Sequence, residues 1–248
     1  EFIRAFAAGK GPDIISLHHT WLNRYKDVLY PAPKNVFPVS DFRKSFLDVV
    51  QTDFISNNEL YATALYVDTL ALYYNVDIFN SNGIVLPPTD WEEFAKYAKI
   101  LTKRKSGEDI LVSGAAFGGG KNISNSADIL ALLMLQNGAT ISDFNTGKIS
   151  FKSDQNKTGS PAEKALDFYT SFAKPNNTNY SWSKNFANGE DIFSQNKAAM
   201  IIGYSRMRDS LFKKYAKSRF NIANIPQVKN AVLNRNYPDY WGYGVYKN

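Results

Sequence analysis

The stretch of sequence that most constrains the fold runs from Tyr61 to Phe79 and reads YATALYVDTLALYYNVDIF. As far as Tyr74 it is almost wholly apolar, rich in β-branched and aromatic residues, and contains neither Pro nor Gly. This composition predicts a long extended segment that is buried on both sides.

One charge, Asp68, interrupts this apolar stretch. A carboxylate inside a buried strand costs several kcal/mol unless it is paired or reaches solvent. We therefore expect Asp68 to mark the point where the strand leaves one packed body and enters another. Beyond it, Asn75 is predicted to cap a short helix over 76–82, and Gly83 to follow that helix in the left-handed conformation.

The beginning of the chain shows the order helix, turn, strand and loop that is typical of an α/β layer. Residues 11–13 (GPD) form the predicted turn, residues 14–17 (IISL) the strand, and a polar loop follows at His18 and His19. Ligands of α/β layers gather at the carboxyl ends of strands, so both histidines are candidates for ligand contact. The alternative, to which we give equal weight, is that both histidines are solvent-exposed loop residues without a ligand. Adjacent residues on a regular element point in different directions, which argues against a joint metal site.

Local signals predict where several helices begin and end. Two sequences match a capping box, Thr89 with Glu92 and Ser160 with Glu163, and the second has Pro at the first helical position. Asn196 is predicted to follow the end of a helix, because Asn tolerates the left-handed backbone conformation.

Glycines alternate with aromatic residues near the end of the chain, in the segment YWGYGVY from Tyr240 to Tyr246. A Gly inside a strand often marks the close approach of another backbone or of a ligand. We expect this segment to lie beside a cleft.

Composition excludes several classes of function. The net charge is +6, but the basic residues are scattered and the densest cluster, 103–105, complements the end of a predicted helix, so nucleic-acid binding is not expected. The absence of Cys excludes disulfides and thiolate metal sites. The loop GGGK at 118–121 fails the phosphate-loop pattern at two positions, which excludes that mode of nucleotide binding.

Five segments, in order, resemble a known family: GKGPDIISL, LYVDTLALYYNVDIF, PPTDWEEFAKYAKILTK, IFSQNKAAMIIGYS and YWGYGV. Together they are similar to the extracellular solute-binding proteins of ABC importers, in the sugar-binding branch that includes maltose-binding protein. The similarity runs from Ala5 to Val245, which is nearly the whole chain.

The resemblance implies an α/β protein with an incomplete periplasmic-binding-protein type II fold, whose two lobes are joined by hinge strands. Lobe 1 would be partial and span residues 1–67, lobe 2 would span 68–240, and 241–248 would form the second hinge crossing back to lobe 1. The first strand and the C-terminal helices of the family have no counterpart in this sequence. We therefore expect the sequence to be a fragment that lacks both ends of the family's fold. It also opens inside a helical pattern, with Phe2, Ile3 and Phe6 on one face of the predicted helix.

The resemblance also implies eight ligand-binding residues, which come from the loop after the first strand, from the two hinge crossings and from the turn after the AAMIIG strand. They are His19, Thr20, Trp21, Asp68, Tyr204, Ser205, Trp241 and Tyr243. Asp68 would take sugar hydroxyls, and Trp241 would face either Trp21 or Tyr204 across the groove that Asp68 lines. The family's usual Trp after the AAMIIG strand is absent, which puts stacking at Tyr204 in question.

The resemblance implies that the protein delivers a carbohydrate to the membrane permease subunits of an ABC importer. It would act as a monomer outside the cytoplasm, and members of this family are sometimes lipid-anchored. No cofactor, metal or nucleic acid is expected. The alternatives are another solute in the same fold, such as a polyamine, an iron complex or a phosphate ester, and an enzyme of the glycosidase type. A glycosidase needs two carboxylates that face one bond, and the sequence offers Asp68 no obvious partner.

Overall fold

The structure is a computed structural model that describes residues 4, 8–105, 109–141, 159–214 and 219–247. Within these ranges the chain forms two compact units. Unit 1 comprises residues up to Asp68 together with those from Pro238 onward, and unit 2 comprises Thr69–Tyr237. The predicted positions Phe2, Ile3 and Phe6 lie outside the described residues.

Short strands and helices follow one another along the chain. The strands, in chain order, are β1 (Ile14–His18), β2 (Leu29–Tyr30), β3 (Ile55–Ser56), β4 (Glu59–Leu60), β5 (Thr63–Ala64), β6 (Asp68–Asn75), β7 (Lys103–Arg104), β8 (Ile110–Val112), β9 (Met200–Tyr204), β10 (Phe220–Asn224), β11 (Pro238–Asp239) and β12 (Trp241–Tyr246). The helices are α1 (Leu22–Tyr25), α2 (Val39–Ser45), α3 (Asp48–Phe54), α4 (Val76–Ser81), α5 (Trp91–Leu101), α6 (Ser126–Gln136), α7 (Pro161–Ser171), α8 (Gly189–Ser194) and α9 (Met207–Lys214), with 3₁₀ turns at His19–Trp21 and Lys26–Val28. None of the described helices is both long enough and apolar enough to span a membrane.

The main sheet of unit 1 is built around β12. Strand β1 pairs with it in antiparallel fashion along one edge, and β2 and β5 pair with opposite ends of its other edge. One face of this sheet packs on an apolar core that includes Leu17, Phe42, Phe54 and Tyr240. The first and last strands of the described chain are thus parts of one sheet.

The main sheet of unit 2 is centred on β6. Strand β9 pairs with one edge of β6 and β10 with the other, both antiparallel. A separate and larger core surrounds this sheet, with Leu72, Phe94, Phe117 and Trp182 among its fully buried side chains. Its size follows from the apolar faces of α5, α6 and α7, which supply many of the buried residues.

The apolar stretch that begins at Tyr61 is not one continuous strand, so that part of the sequence prediction is wrong. Strand β5 ends at Ala64, and β6 begins only at Asp68. Between them Leu65 is 77% exposed and Tyr66 is 57% exposed. The composition resembles that of a buried strand, but these two side chains lie outside both cores.

The chain passes between the units at slightly different positions from those that we expected for the lobes. It leaves unit 1 after Asp68 and returns before Pro238, whereas the expected boundaries followed residues 67 and 240. The return comes earlier because Tyr240 is fully buried in the core of unit 1 and its ring stacks on His19.

Candidate ligand-binding site

A turn of unusual composition follows the first strand of unit 1. In β1 the buried side chains of Ile15 and Leu17 alternate with outward-facing ones, as a half-buried strand requires. His18 ends the strand in an extended conformation, and its Nδ1 lies 2.8 Å from the hydroxyl of Thr20. This local bond stabilises the 3₁₀ turn that contains His19 and Trp21.

Strand β12 brings the other end of the chain to this turn. The register of the β1–β12 pair places His18 opposite Trp241, and Ser16 opposite Tyr243. Because side chains alternate along a strand, Trp241 and Tyr243 share the exposed face, while Gly242 shares the buried face with Gly244. The alternation of Gly and aromatic residues in the sequence thus separates a close-packed face from a solvent-accessible one.

Trp21 and Trp241 form a partly exposed aromatic pair. Their ring centroids are 5.2 Å apart and the rings meet edge to face, at 79°. The imidazole of His18 completes the cluster, with its centroid 5.2 Å from that of Trp241 and 5.7 Å from that of Trp21. Trp21 is 42% exposed and Trp241 is 36% exposed. We call these two residues the tryptophan pair.

Two carboxylates hold the histidines beside the tryptophan pair. Nε2 of His18 lies 2.8 Å from Oδ1 of Asp239, and Nδ1 of His19 lies 2.8 Å from Oδ2 of Asp53. The hydroxyl of Tyr240 donates a second hydrogen bond to that Asp53 oxygen, and its ring stacks on His19 with centroids 4.5 Å apart. These contacts fix the orientation of both imidazoles.

The ionisation of Tyr240 is strongly disfavoured in this network. Burial raises the pKa of its hydroxyl above the ordinary value, and the hydrogen bond to the Asp53 carboxylate and the negative charge of that carboxylate raise it further. Tyr240 therefore stays a hydrogen-bond donor to Asp53 throughout the neutral range.

Most of the residues expected to bind ligand lie in unit 1, and several of them are adjacent. His19, Thr20 and Trp21 form the turn after β1, and Trp241 begins β12. Asp68 is the last residue of unit 1 before the chain enters unit 2, and this residue is buried. The structure therefore gathers the turn and the start of β12 into one cluster.

Tyr204 and Ser205 belong to unit 2, where Tyr204 ends β9. Tyr204 is only 3% exposed, because its hydroxyl hydrogen-bonds Asp128 at 3.0 Å and the guanidinium of Arg206 lies over its ring at 4.4 Å. A ring covered in this way offers no open face for stacking.

The expectation that Trp241 faces Trp21 across a groove is wrong. The two rings pack directly against each other in unit 1, because the β1–β12 register places their backbones side by side. They form one aromatic surface and not two opposing walls.

Sequence reasoning did not identify Asp53 and Asp239 as parts of the site. Asp53 lies on α3 and reaches His19 across 34 positions of sequence, and Asp239 reaches His18 across 221 positions. The only available signal was the position of Asp239 immediately before the segment of alternating Gly and aromatic residues.

Unit 2 contains a concave region, an open cleft of about 1180 Å³. Amides such as Asn224, Gln227 and Asn236 contribute to its lining, and among the described residues no aromatic side chain does. It therefore lacks the partly exposed aromatic rings that the tryptophan pair provides.

The whole chain, residues 1–248, matches the family model for bacterial extracellular solute-binding proteins. An ABC substrate-binding protein from Listeria monocytogenes, solved with cycloalternan, is 19% identical with a TM-score of 0.74, over 100% of this chain and 60% of that one. The maltose/maltodextrin-binding domain from Bdellovibrio bacteriovorus, bound to maltotriose, is 18% identical with a TM-score of 0.70, over 100% of this chain and 60% of that one. UgpB from Mycobacterium tuberculosis, solved with glycerophosphocholine, is 18% identical with a TM-score of 0.74, over 100% of this chain and 58% of that one.

At these identities the three structures establish the fold. They confirm the expected α/β architecture of the periplasmic-binding-protein type II class, and the chain spans about 60% of their length, so the fold is incomplete as expected. The match to the family model over all residues confirms the resemblance found in the sequence, and the chain belongs to the bacterial extracellular solute-binding proteins.

Proposed function

We propose that this chain is the solute-binding component of an ABC importer outside the cytoplasm, and that its solute is a carbohydrate. The observation that carries the proposal is the tryptophan pair of unit 1, Trp21 and Trp241, whose rings pack edge to face and remain more than one third exposed. Delivery to membrane permease subunits and closure of the protein on its solute belong to the same proposal, as does a lipid anchor in the whole protein.

The chemistry of the tryptophan pair suits a sugar. A sugar ring presents C–H groups on its faces and hydroxyls at its rim, so it needs a flat apolar surface beside hydrogen-bonding groups. The exposed parts of the Trp21 and Trp241 rings supply apolar surface in two planes, at 79° to each other. Donors and acceptors come from Thr20 in the turn, from His18 at the end of β1 and from Asp239, two residues before β12.

The proposal also includes the remaining residues that we expected to contact the ligand, although the structure supports some of them more than others. Tyr243 is 44% exposed on the same face of β12 as Trp241, so it extends the aromatic surface. Asp68, buried where the chain leaves unit 1, would accept hydrogen bonds from sugar hydroxyls. Tyr204 would contribute only if Arg206 moved off its ring.

A phosphate ester with a quaternary ammonium group is the second candidate. Glycerophosphocholine is bound to one of the similar structures, and the exposed face of a Trp attracts such a cation. The carboxylate of Asp239 beside the tryptophan pair would favour the cation but would repel the phosphate. The carbohydrate is therefore the better fit to this surface.

The protein is proposed to bind its solute without hydrolysing it. Glycoside hydrolysis needs two carboxylates on opposite sides of one bond. Near the tryptophan pair, Asp239 is bonded to His18, and Asp53 is bonded to His19 and Tyr240. Sustained release of chromophore from a chromogenic glycoside, abolished by Asp239→Asn, would contradict this part of the proposal.

Replacing either Trp of the pair tests the proposal directly. Trp21→Ala or Trp241→Ala is expected to weaken the binding of maltotriose by about 1–3 kcal/mol in titration calorimetry, because contact area with the sugar face is lost. The matched control is Phe212→Ala, which removes an aromatic ring that is 44% exposed on α9 of unit 2.

The result that would overturn the proposal is equal binding of the sugar by the parent and by both Trp variants. Far-ultraviolet circular dichroism and the thermal midpoint of each variant establish that unit 1 remains folded. A Phe212→Ala variant that loses as much affinity as the Trp variants would show that the effect is not specific to the tryptophan pair.

A further inference from the structure

We propose that His18, His19 and Asp239 form a binding site for one divalent transition-metal ion, such as Zn²⁺. Each of the three side chains offers one ligand atom, and these atoms lie within 4.8 Å of one another. All three belong to unit 1. This inference concerns the ion alone and does not rest on carbohydrate binding.

The two neighbouring histidines converge because they do not lie on the same regular element. His18 is the last residue of β1, with φ −64° and ψ 140°, and His19 begins the 3₁₀ turn. The change of backbone direction brings the imidazole centroids to 4.5 Å from each other. The argument from the sequence against joint coordination therefore does not apply at this junction.

The orientation of His19 is the one that metal-binding histidines adopt. Its Nδ1 is held by the Asp53 carboxylate, which also accepts a hydrogen bond from Tyr240. Metal-binding imidazoles commonly use one nitrogen for such a carboxylate and the other for the ion. In the part of the chain that the structure describes, Nε2 of His19 has no hydrogen-bond partner, and this nitrogen is not fully shielded from solvent.

An ion requires the ligand atoms to rearrange, since the structure places them only within 4.8 Å of one another. Nε2 of His18 lies 2.8 Å from Oδ1 of Asp239, and two ligand atoms on a tetrahedral Zn²⁺ lie about 3.3 Å apart, given bonds of about 2.0–2.1 Å. The hydroxyl of Thr20 holds Nδ1 of His18, so that imidazole is also oriented. Zn²⁺, Ni²⁺ and Cu²⁺ favour imidazole ligands, whereas Mg²⁺ favours oxygen ligands.

Three protein ligands leave at least one coordination position open on the ion. That position would be accessible from solvent, because His18 is only partly buried and both residues of the tryptophan pair are partly exposed. A small molecule with an oxygen or nitrogen donor could therefore complete the coordination.

The composition of the chain makes the site unusually easy to test. It contains two histidines and no cysteine, so any imidazole coordination in an untagged protein must involve this pair. We would strip the chain with a chelator and titrate it with Zn²⁺ in the absence of sugar, by calorimetry and by NMR of the histidine ring nitrogens. The expected result is one ion per chain, with shifts at both imidazoles. Mg²⁺ should cause neither heat nor shifts.

Variants separate the ligands from their support. His19→Gln is expected to weaken Zn²⁺ binding at least tenfold, and Asp53→Asn, which leaves all three ligands in place, is expected to weaken it about 10–100-fold. The matched control, Asp41→Asn, removes an exposed carboxylate that pairs only with Lys44 among the described residues, and it should bind as the parent does.

Two results would overturn the proposal: no saturable Zn²⁺ binding by the parent, or unchanged affinity in the His18→Gln and His19→Gln double variant. Thermal unfolding without metal identifies any variant that fails to fold. If Asp53→Asn does not fold, His18→Gln replaces it as the test of Zn²⁺ binding. His18 is only partly buried, so this substitution disturbs the core less. Since no sugar is present, a failure to bind Zn²⁺ leaves the carbohydrate proposal unaffected.

Discussion

Tyr240 is the residue at which the core of unit 1 meets the candidate site. Its ring is fully buried and stacks on His19. Its hydroxyl donates to Asp53 and lies 3.2 Å from the backbone carbonyl of Val49. Burial raises the pKa of this hydroxyl, and the Asp53 carboxylate raises it further. The fold therefore favours the neutral form of Tyr240.

This preference predicts a loss of stability at alkaline pH. In the unfolded chain a Tyr ionises near pH 10, so the contribution of Tyr240 is fully present below that pH and is lost as the pH rises toward the higher folded-state pKa. The loss should approach about 1.4 kcal/mol per pH unit above pH 10. Chemical unfolding between about pH 9 and pH 11.5 should therefore show a shallower decline for Tyr240→Phe than for the parent.

The control for this measurement is Tyr30→Phe, which alters a tyrosine that is 60% exposed. Its pH dependence should match that of the parent. An equal decline in the parent and in Tyr240→Phe would contradict the role given to the buried hydroxyl. The buried Tyr169 of unit 2, whose pKa burial also raises, contributes equally to all three proteins.

Conformations of single residues could be predicted where the chemistry is local. Gly83 and Asn196 have positive φ, at 70° and 58°, and Asn75 caps α4 through the backbone N–H of Ile78, as the sequence predicts. The sequence could not show that Nδ2 of Asn75 also donates to Oδ1 of Asn196 at 2.7 Å. That bond depends on a pairing of segments 121 positions apart.

At the scale of secondary structure, β12 is the element on which unit 1 depends. Its inward positions are Gly242 and Gly244, because the ring of Phe54 and the carbonyl of Tyr61 come very close to the strand there. A Cβ atom at Gly242 would lie 2.5 Å from the Phe54 ring, and one at Gly244 would lie 2.8 Å from the Tyr61 oxygen.

Gly242→Ala is therefore expected to destabilise the protein by about 1–3 kcal/mol, because the added methyl group overpacks the core against Phe54. Denaturant unfolding monitored by circular dichroism measures the change. Gly120→Ala is the matched control, since a Cβ atom there meets open space. A Gly242→Ala protein as stable as the control would show that the close approach of Phe54 is not what selects Gly.

Helix starts could be predicted from local sequence, although one of them is shifted. The capping box of Ser160 and Glu163 is present as predicted, at the beginning of α7. The cap of α5 is Asp90 and not Thr89, so that prediction is wrong by one residue. The cause is long-range: the backbone of Gln227 pairs with Thr89 and Trp91, and it holds the intervening residue in an extended conformation.

At the scale of the whole molecule, the charge at Asp68 was the useful signal. It is the last residue of unit 1 before the chain crosses to unit 2, and separate apolar cores lie on either side of it in the sequence. The candidate site could be predicted only in part. Its turn and its strand are visible in the sequence, but the contact between Trp21 and Trp241 depends on an antiparallel pairing of β1 with β12, from opposite ends of the chain, for which the sequence has no local signal.

The central claim is that this chain binds a carbohydrate in preference to the alternative solutes. The most direct measurement is the thermal midpoint of the chain with maltotriose, glycerophosphocholine, spermidine or a ferric chelate added separately, followed by calorimetry of each solute that stabilises it. A solute that binds only the folded state raises stability by RT ln(1 + [L]/Kd), about 2.7 kcal/mol at one hundred times Kd. We expect stabilisation by maltotriose or a related oligosaccharide, lost in Trp241→Ala. Stabilisation by glycerophosphocholine, spermidine or the ferric chelate, with none by any oligosaccharide tested, would contradict the account.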